Sequence, residues 1–183
     1  MIGIIDFGSK KTPDIESVCL EISYLTQVLW WDDVGRNKLE LFDKIILSGA
    51  PVLLTEINHQ YHISKFSFLK NSQVPVLGIC FGHQLLGLVH GAEAFMGEAV
   101  REWTEIKIKS KNNLFKGFAS GTRMMEDHTE GITLPDNFKC LATSDKYEVE
   151  AMKHISKPIY GVQFHPEVSG KEGKRLLNNF LDL

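Results

Sequence analysis

The stretch VPVLGICFGHQLLG, residues 74 to 87, restricts the fold more than any other part of the chain. A short apolar run ends in Gly-Ile-Cys-Phe-Gly and passes without a spacer into a segment of helical period. That is the pattern of a buried strand, a tight turn and a helix. Gly78 and Gly82 flank Cys80 and remove side chains where so sharp a bend would crowd them, as in the strand-to-helix elbows that present a nucleophile. The turn also sets Cys80 at the head of a helix, whose partial positive charge favours a thiolate. A structural cysteine, with glycines that only admit close helix–strand packing, is the alternative.

The flanking sequence repeats the alternation. IGII (2–5), QVLWW (27–31), KIILS (44–48) and VPVLGIC (74–80) read as strands. TPDIESVCLEISYL (12–25) reads as a helix with Thr12 as N-cap and Pro13 at its first position, and HQYHISKFSFLKN (59–71) as another. Trp30 and Trp31 are expected to pack one in and one out, with Asp32 and Asp33 capping the next segment. After residue 100 the pattern changes. TEIKIKS (104–110) alternates strictly, TRMME, KCLATS, VEAMKH and PIYGVQFH come next as short strands, and KEGKRLLNNFLDL closes as an amphipathic helix. The prediction is an α/β fold of three layers: an open, mostly parallel sheet with helices on both faces. The second half extends that sheet in antiparallel fashion or sits beside it as a ribbon. With 183 residues and no repeat, low-complexity tract or linker, one domain spanning 1–183 is expected.

Composition narrows the function. Twenty Lys and Arg against 23 Asp and Glu give a net charge of −3, which offers no basic footprint for nucleic acid and no polybasic membrane patch. No apolar run approaches the ~20 residues that span a bilayer. The opening apolar stretch is too short for a signal peptide. Cys19, Cys80 and Cys140 are odd in number and lack C-x-x-C spacing, unlike a secreted disulfide framework. These features predict a soluble cytoplasmic protein with a small-molecule partner. Cys19, Cys140, Met124, Met125 and Met152 read as packing residues.

A thiol nucleophile needs a base, and the base an orienting carboxylate. YGVQFHPEV supplies both. His165 ends an apolar strand, Pro166 biases it towards extended geometry, and Glu167 two residues on would project to the same side. Glu167 could then hold one ring nitrogen while the other faces Cys80. Cys80-x-x-His83 with His165 and Glu167 is also a borderline donor set for a metal. The elbow explains the glycines better, and no metal is expected.

These residues resemble a known family. GICFGHQ is similar to the G-x-C-x-G-x-Q nucleophile motif of the class I glutamine amidotransferases, QFHPE to the His-x-Glu segment of their triad, and IILSGAP (45–51) to their oxyanion loop. Order and spacing agree over nearly the whole chain. DFGS and VEAMKH…KPIYGVQFHPEV are most similar to the separate glutaminase subunits of GMP synthases. The resemblance implies a flavodoxin-like α/β sheet and a Cys80–His165–Glu167 triad. Backbone N–H groups of Ala50 and Phe81 would form the oxyanion hole, and Gly49, Val52, Gln84, Glu126 and Asp127 would contact L-glutamine. It implies no cofactor. Glutamine would be hydrolysed through a γ-glutamyl thioester, and ammonia would pass to a separate ATP-dependent synthetase that aminates XMP. The chain itself has no GxxxxGK[ST] loop.

Three departures stand out. Ala50 replaces the second glycine of Ser-Gly-Gly-Pro, where a positive φ would strain it. Glu126, Asp127 and Thr129 stand in place of Ser-His-x-Asp, in a segment expected at an exposed rim facing the partner, with His128 as a plain surface histidine. KKTPDI follows DFGS where the family has a Gln-Tyr-type sequence. Two alternatives therefore remain: a γ-glutamyl hydrolase-type cysteine enzyme without ammonia transfer, and a non-catalytic glutamine-binding or regulatory domain.

Overall fold

The computed structural model of the protein describes residues 1–22 and 24–183. Five strands are mutually parallel, in the order β2 (Thr26–Trp30), β1 (Ile2–Asp6), β3 (Lys44–Leu47), β4 (Val76–Ile79) and β12 (Ile159–Val162). Beyond β12 the sheet continues antiparallel through β11 (Ala151–His154), β10 (Phe138–Thr143) and β7 (Lys107–Ile108). Extension and ribbon are both present. β5 (Ala94–Val100) pairs with β9 (His128–Ile132), and β6 (Trp103–Glu105) pairs with β8 (Arg123–Met125).

Strand side chains alternate between two cores because successive residues point to opposite faces. Ile4, Ile46, Leu77, Ile79 and Val162 face one layer, closed by α1 (Thr12–Glu21) and α5 (Gly170–Leu181) through Ile15, Cys19, Leu176 and Phe180. Ile5, Ile45, Leu47, Val76 and Ile159 face the other, closed by α3 (Gln60–Phe66) and α4 (Phe81–Val89) through Phe66, Leu85 and Leu86. A short α2 (Arg36–Leu39) adds Leu39 to that second core. Strands buried on both faces read as continuous apolar runs, which is why IGII, KIIL and VLGI are legible as strands. The three-layer α/β prediction holds.

Local differences have local causes. Thr12 lies inside α1, Lys11 is the cap residue, and the Thr12 hydroxyl donates to Asp6 Oδ1 at 2.7 Å instead of capping. The helix expected to run to residue 25 is helical to Glu21; Ser23, within that expectation, lies outside the described residues. The segment 59–71 divides into α3 and a 3-10 turn, Ser67–Asn71. TEIKIKS breaks at Ile106, which turns into the core and donates its N–H to the Thr122 carbonyl at 2.8 Å. Trp30 ends β2 largely exposed, whereas Trp31 starts a 3-10 turn and stacks on His62 at 4.4 Å.

Candidate active site

Every strand that matters to the site ends on the same edge of the sheet. Phe7–Ser9 follow β1, Ser48–Pro51 follow β3, Cys80 follows β4, and His165 lies three residues beyond β12. In open α/β sheets the carboxyl ends of the strands are where ligands bind.

Cys80 has φ 51° and ψ −108°, and among the described residues it is the one non-glycine with positive φ. Its N–H still pairs with the Val162 carbonyl at 2.9 Å, as a strand residue would, and its carbonyl accepts from Gln84 N at 3.0 Å, as a helix residue would. The residue is the hinge between β4 and α4. Gly78 and Gly82 make that hinge possible by close approach. A Cβ on Gly78 would lie 2.5 Å from the Gly82 carbonyl carbon, and one on Gly82 would lie 2.5 Å from Leu47 O.

His165 Nδ1 is 2.7 Å from Glu167 Oε1, and both residues are buried. They meet differently from the expected strand alternation. β12 stops at Val162, and Pro166–Val168 form a 3-10 turn that folds Glu167 back against the ring. Ser169, which sequence reasoning passed over, holds the turn: its hydroxyl donates to the His165 carbonyl at 2.6 Å and accepts from Met125 N at 2.9 Å. The His165 N–H in turn donates to the Met125 carbonyl at 2.9 Å. Burial alone would lower the His165 pKa, but the adjoining Cys80 sulfur and the Glu167 carboxylate together raise it to about 10. Gly49 leaves room for this approach, since a Cβ there would sit 3.3 Å from His165 Cε1 and 3.7 Å from Cys80 Cβ.

The loop after β3 is held by Ser48, whose buried hydroxyl accepts from Phe7 N at 3.0 Å and donates to the Gly49 carbonyl at 2.8 Å. Gly82 N donates to the Ser48 carbonyl at 3.1 Å, which ties the loop to the elbow. Ala50 does not have positive φ, so the expected strain is absent. Among the described residues, neither the Ala50 nor the Phe81 N–H has a partner within the chain. A cavity of about 350 Å³ opens here, and its walls include Ser9, Lys11, Ala50, Val52, Cys80, Arg101, Asp127 and His165. Gln84 reaches a smaller recess against Cys80, where its amide donates to Glu130 O at 3.0 Å and Gln163 Oε1 at 3.1 Å. A larger cavity of about 710 Å³ between residues 105 and 121 contains none of the predicted site residues.

The segment 126–130 is not the expected exposed rim. Glu126, His128 and Glu130 are buried; Asp127, His128 and Thr129 line the cavity, and Asp127 pairs at its mouth with Lys11 at 2.6 Å and lies 3.5 Å from Arg101. Glu126 lines neither cavity above Cys80, and its N–H is taken by the Glu102 carbonyl at 3.0 Å. Glu130 accepts from Leu54 N at 2.8 Å and Thr55 N at 2.7 Å, fixing the chain beyond Ala50. Burial pushes Glu126 up to about 7. It also pushes Glu150 up to about 8, with the Glu126 charge adding to the effect. His83, the other ring of the C-x-x-H spacing, is wholly buried against Gly161. Burial lowers its pKa to about 3, with the nearby His128 adding to the effect.

Comparison with known proteins converges on one family. The family model of glutamine amidotransferase class-I matches residues 3–183. Among curated relatives, the glutamine-hydrolysing GMP synthase subunit of Pyrococcus furiosus is 45% identical over 139 residues, 74% of this chain and 72% of the relative. The corresponding subunit of Methanothermobacter thermautotrophicus is 40% identical over 142 residues, 76% of this chain and 73% of the relative. Among solved structures, a GMP synthase subunit candidate from Thermoplasma acidophilum superposes with a TM-score of 0.90 at 28% identity, covering 99% of this chain and 92% of that one. A glutamine amidotransferase from Thermotoga maritima shares the fold at a TM-score of 0.77 and 23% identity, covering 99% of this chain and 82% of that one.

Proposed function

Because the chain belongs to the class I glutamine amidotransferases, we propose that it hydrolyses L-glutamine to glutamate and ammonia as one catalytic domain over residues 1–183. Cys80 Sγ attacks the side-chain amide carbon of glutamine. The oxyanion that forms is met by the Ala50 and Phe81 N–H groups, which have no other partner among the described residues; one such donor is worth about 3–4 kcal/mol in hydrolases. His165, held by Glu167 at 2.7 Å, passes a proton to the departing nitrogen. The C–N bond breaks, ammonia leaves, and a γ-glutamyl thioester remains on Cys80. A water that yields its proton to His165 then attacks the thioester carbon, glutamate departs as the C–S bond breaks, and the Cys80 thiolate beside protonated His165 is restored.

Gln84 has both amide hydrogens committed to Glu130 and Gln163, so its carbonyl oxygen is the group that faces a substrate donor. Val52 lines the approach, Gly49 lets His165 and Cys80 come close, and Asp127 at the mouth offers a carboxylate to an incoming α-ammonium group. The ammonia goes to a separate ATP-dependent synthetase in the cytoplasm. Relatives named as glutamine-hydrolysing GMP synthase subunits favour XMP as its acceptor. Among the described residues no helix is long and apolar enough to cross a membrane.

The observation that carries the reading is the elbow cysteine at φ 51° facing a histidine whose far nitrogen is held by a buried carboxylate. Glutamate release from L-glutamine, measured with and without the synthetase and XMP, tests it. Release that disappears in Cys80→Ala is the expected result. No release under either condition refutes the reading, and release that persists in Cys80→Ala removes Cys80 from the chemistry.

A further inference from the structure

Behind the cavity wall lies a group of side chains that the glutaminase chemistry does not use. Glu126 follows β8, His128 opens β9 and Glu150 precedes β11. They are 0%, 7% and 1% exposed, and one donor atom from each lies within 4.8 Å of the other two. Their polar atoms are poorly provided for. Both Glu126 oxygens, His128 Nε2 and Glu150 Oε2 are buried without a hydrogen-bond partner. Unsatisfied buried polar atoms are costly, and several in one place point to a missing occupant.

The histidine narrows what that occupant is. His128 Nδ1 is 2.9 Å from the Glu130 carbonyl oxygen. A carbonyl only accepts, so Nδ1 carries the hydrogen, and in the neutral ring Nε2 carries a lone pair. Nε2 stands 3.0 Å from Glu126 Oε2 without hydrogen-bond alignment. With Glu126 ionised, two lone pairs face each other, and the Glu150 carboxyl group stands beside them. A backbone carbonyl that fixes the tautomer through Nδ1 is the usual support for a metal-ligating imidazole. Two carboxylates also match the charge of a divalent ion. Imidazole nitrogen and carboxylate oxygen are both ligands that zinc accepts, and three such donors leave the fourth tetrahedral position to water.

We infer that Glu126, His128 and Glu150 form a binding site for one first-row divalent cation of the zinc class, distinct from the Cys80 centre. Its place in the fold gives it a structural task. β9 carries Thr129 and Glu130 into the wall of the recess beside Gln84, whereas Glu150 belongs to the approach to β11 in the main sheet. A shared ion joins the ribbon wall to the sheet. Because His128 also lines the cavity, the ion enters from the cavity mouth.

The test uses the full chain carrying Cys80→Ser, so that sulfur cannot ligate, stripped by a chelator and dialysed against Zn²⁺ alone. One Zn²⁺ per chain is expected, with a melting temperature that rises with Zn²⁺ concentration. Glu126→Gln and Glu150→Gln should each weaken retention by about 10–100-fold or more, the range for disturbing even the outer support of a metal site. Co²⁺ in place of Zn²⁺ should give visible absorption of nitrogen and oxygen coordination without a sulfur charge-transfer band. That spectrum decides the matter if a variant fails to fold, since no other group of three such donors this close occurs among the described residues. A chain that retains no Zn²⁺ and shows no Co²⁺ band overturns the inference. So does a folded double variant, Glu126→Gln with Glu150→Gln, that keeps the parental affinity.

Discussion

Replacing Cys80 by alanine and, separately, by glycine isolates the strain of the elbow from the loss of the thiol. Both variants lack the nucleophile and both should be inactive. They differ in one methyl group at a residue with φ 51° and ψ −108°. Sparsely populated backbone of this kind costs an L-residue about 1–3 kcal/mol. Glycine is free of that cost but loses about 0.5–1 kcal/mol relative to alanine through its greater unfolded-state freedom. The Cys80 side chain points to the cavity, so the lost methyl forfeits little packing. The balance makes Cys80→Gly more stable than Cys80→Ala by up to about 2.5 kcal/mol. For a chain of 183 residues that corresponds to a melting temperature higher by up to about 10 °C. Thermal melts, backed by urea midpoints at constant slope, measure it directly. If Cys80→Gly melts at or below Cys80→Ala, the elbow stores no strain.

Four further outcomes arise from other contacts in the fold. Glu167→Gln keeps the size of the side chain but removes the charge 2.7 Å from His165; kcat should fall on the order of 10²–10⁴-fold with little change in KM, as when a triad carboxylate becomes an amide. In the parent, the His165 proton is held up to about pH 10, so a pH–rate profile should keep its activity well above the ordinary histidine range and lose it on the alkaline side. Ser48→Ala leaves the Phe7 N–H buried without its acceptor, which should cost about 1–3 kcal/mol in a denaturant titration. Burial holds His83 and His90 neutral, with folded pKa values of about 3 and about 4 against 6.5 unfolded. At these two rings the folded state therefore binds fewer protons than the unfolded one below pH 6.5. The contribution of these two rings is full above pH 6.5 and drops as pH falls from there towards 4, against the opposite trend of buried Glu126 and Glu150, so His90→Asn should gain stability relative to the parent in melts across that window.

The parts of the fold legible in the sequence are those whose cause is local. Apolar runs such as IIL and VLGI need only their own composition to mark a strand buried on both faces, and Gly78 marks the elbow because the close approach it permits is to α4 immediately downstream, whereas the approach that Gly82 permits is to Leu47 of β3. His165 and Glu167 are legible as a pair, but not the turn that brings them together, which depends on Ser169 bonding to both Met125 and His165. The pairing of β5 with β9 is not legible at all. FMGEAV and HTEGI lack clean alternation, and their register shifts between Met96 and Val100, so no period-2 signal exists to be read.

The same distinction explains why the segment 126–130 reads as exposed and yet is buried. Glu, Asp, His, Thr and Glu in a row have the composition of a solvated loop, and polarity alone places them outside. Their burial is imposed from a distance. Glu130 turns inward because Leu54 and Thr55, about 75 residues upstream, present two N–H groups that need an acceptor, and Glu126 turns inward towards His128 and Glu150. Asp127, between them, is left facing Lys11 across the cavity mouth. Two of the three departures from the family pattern are therefore one feature in space. The lysine introduced after DFGS and the aspartate introduced before His128 form a single ion pair over Cys80, and neither can be understood from its own neighbours in the chain.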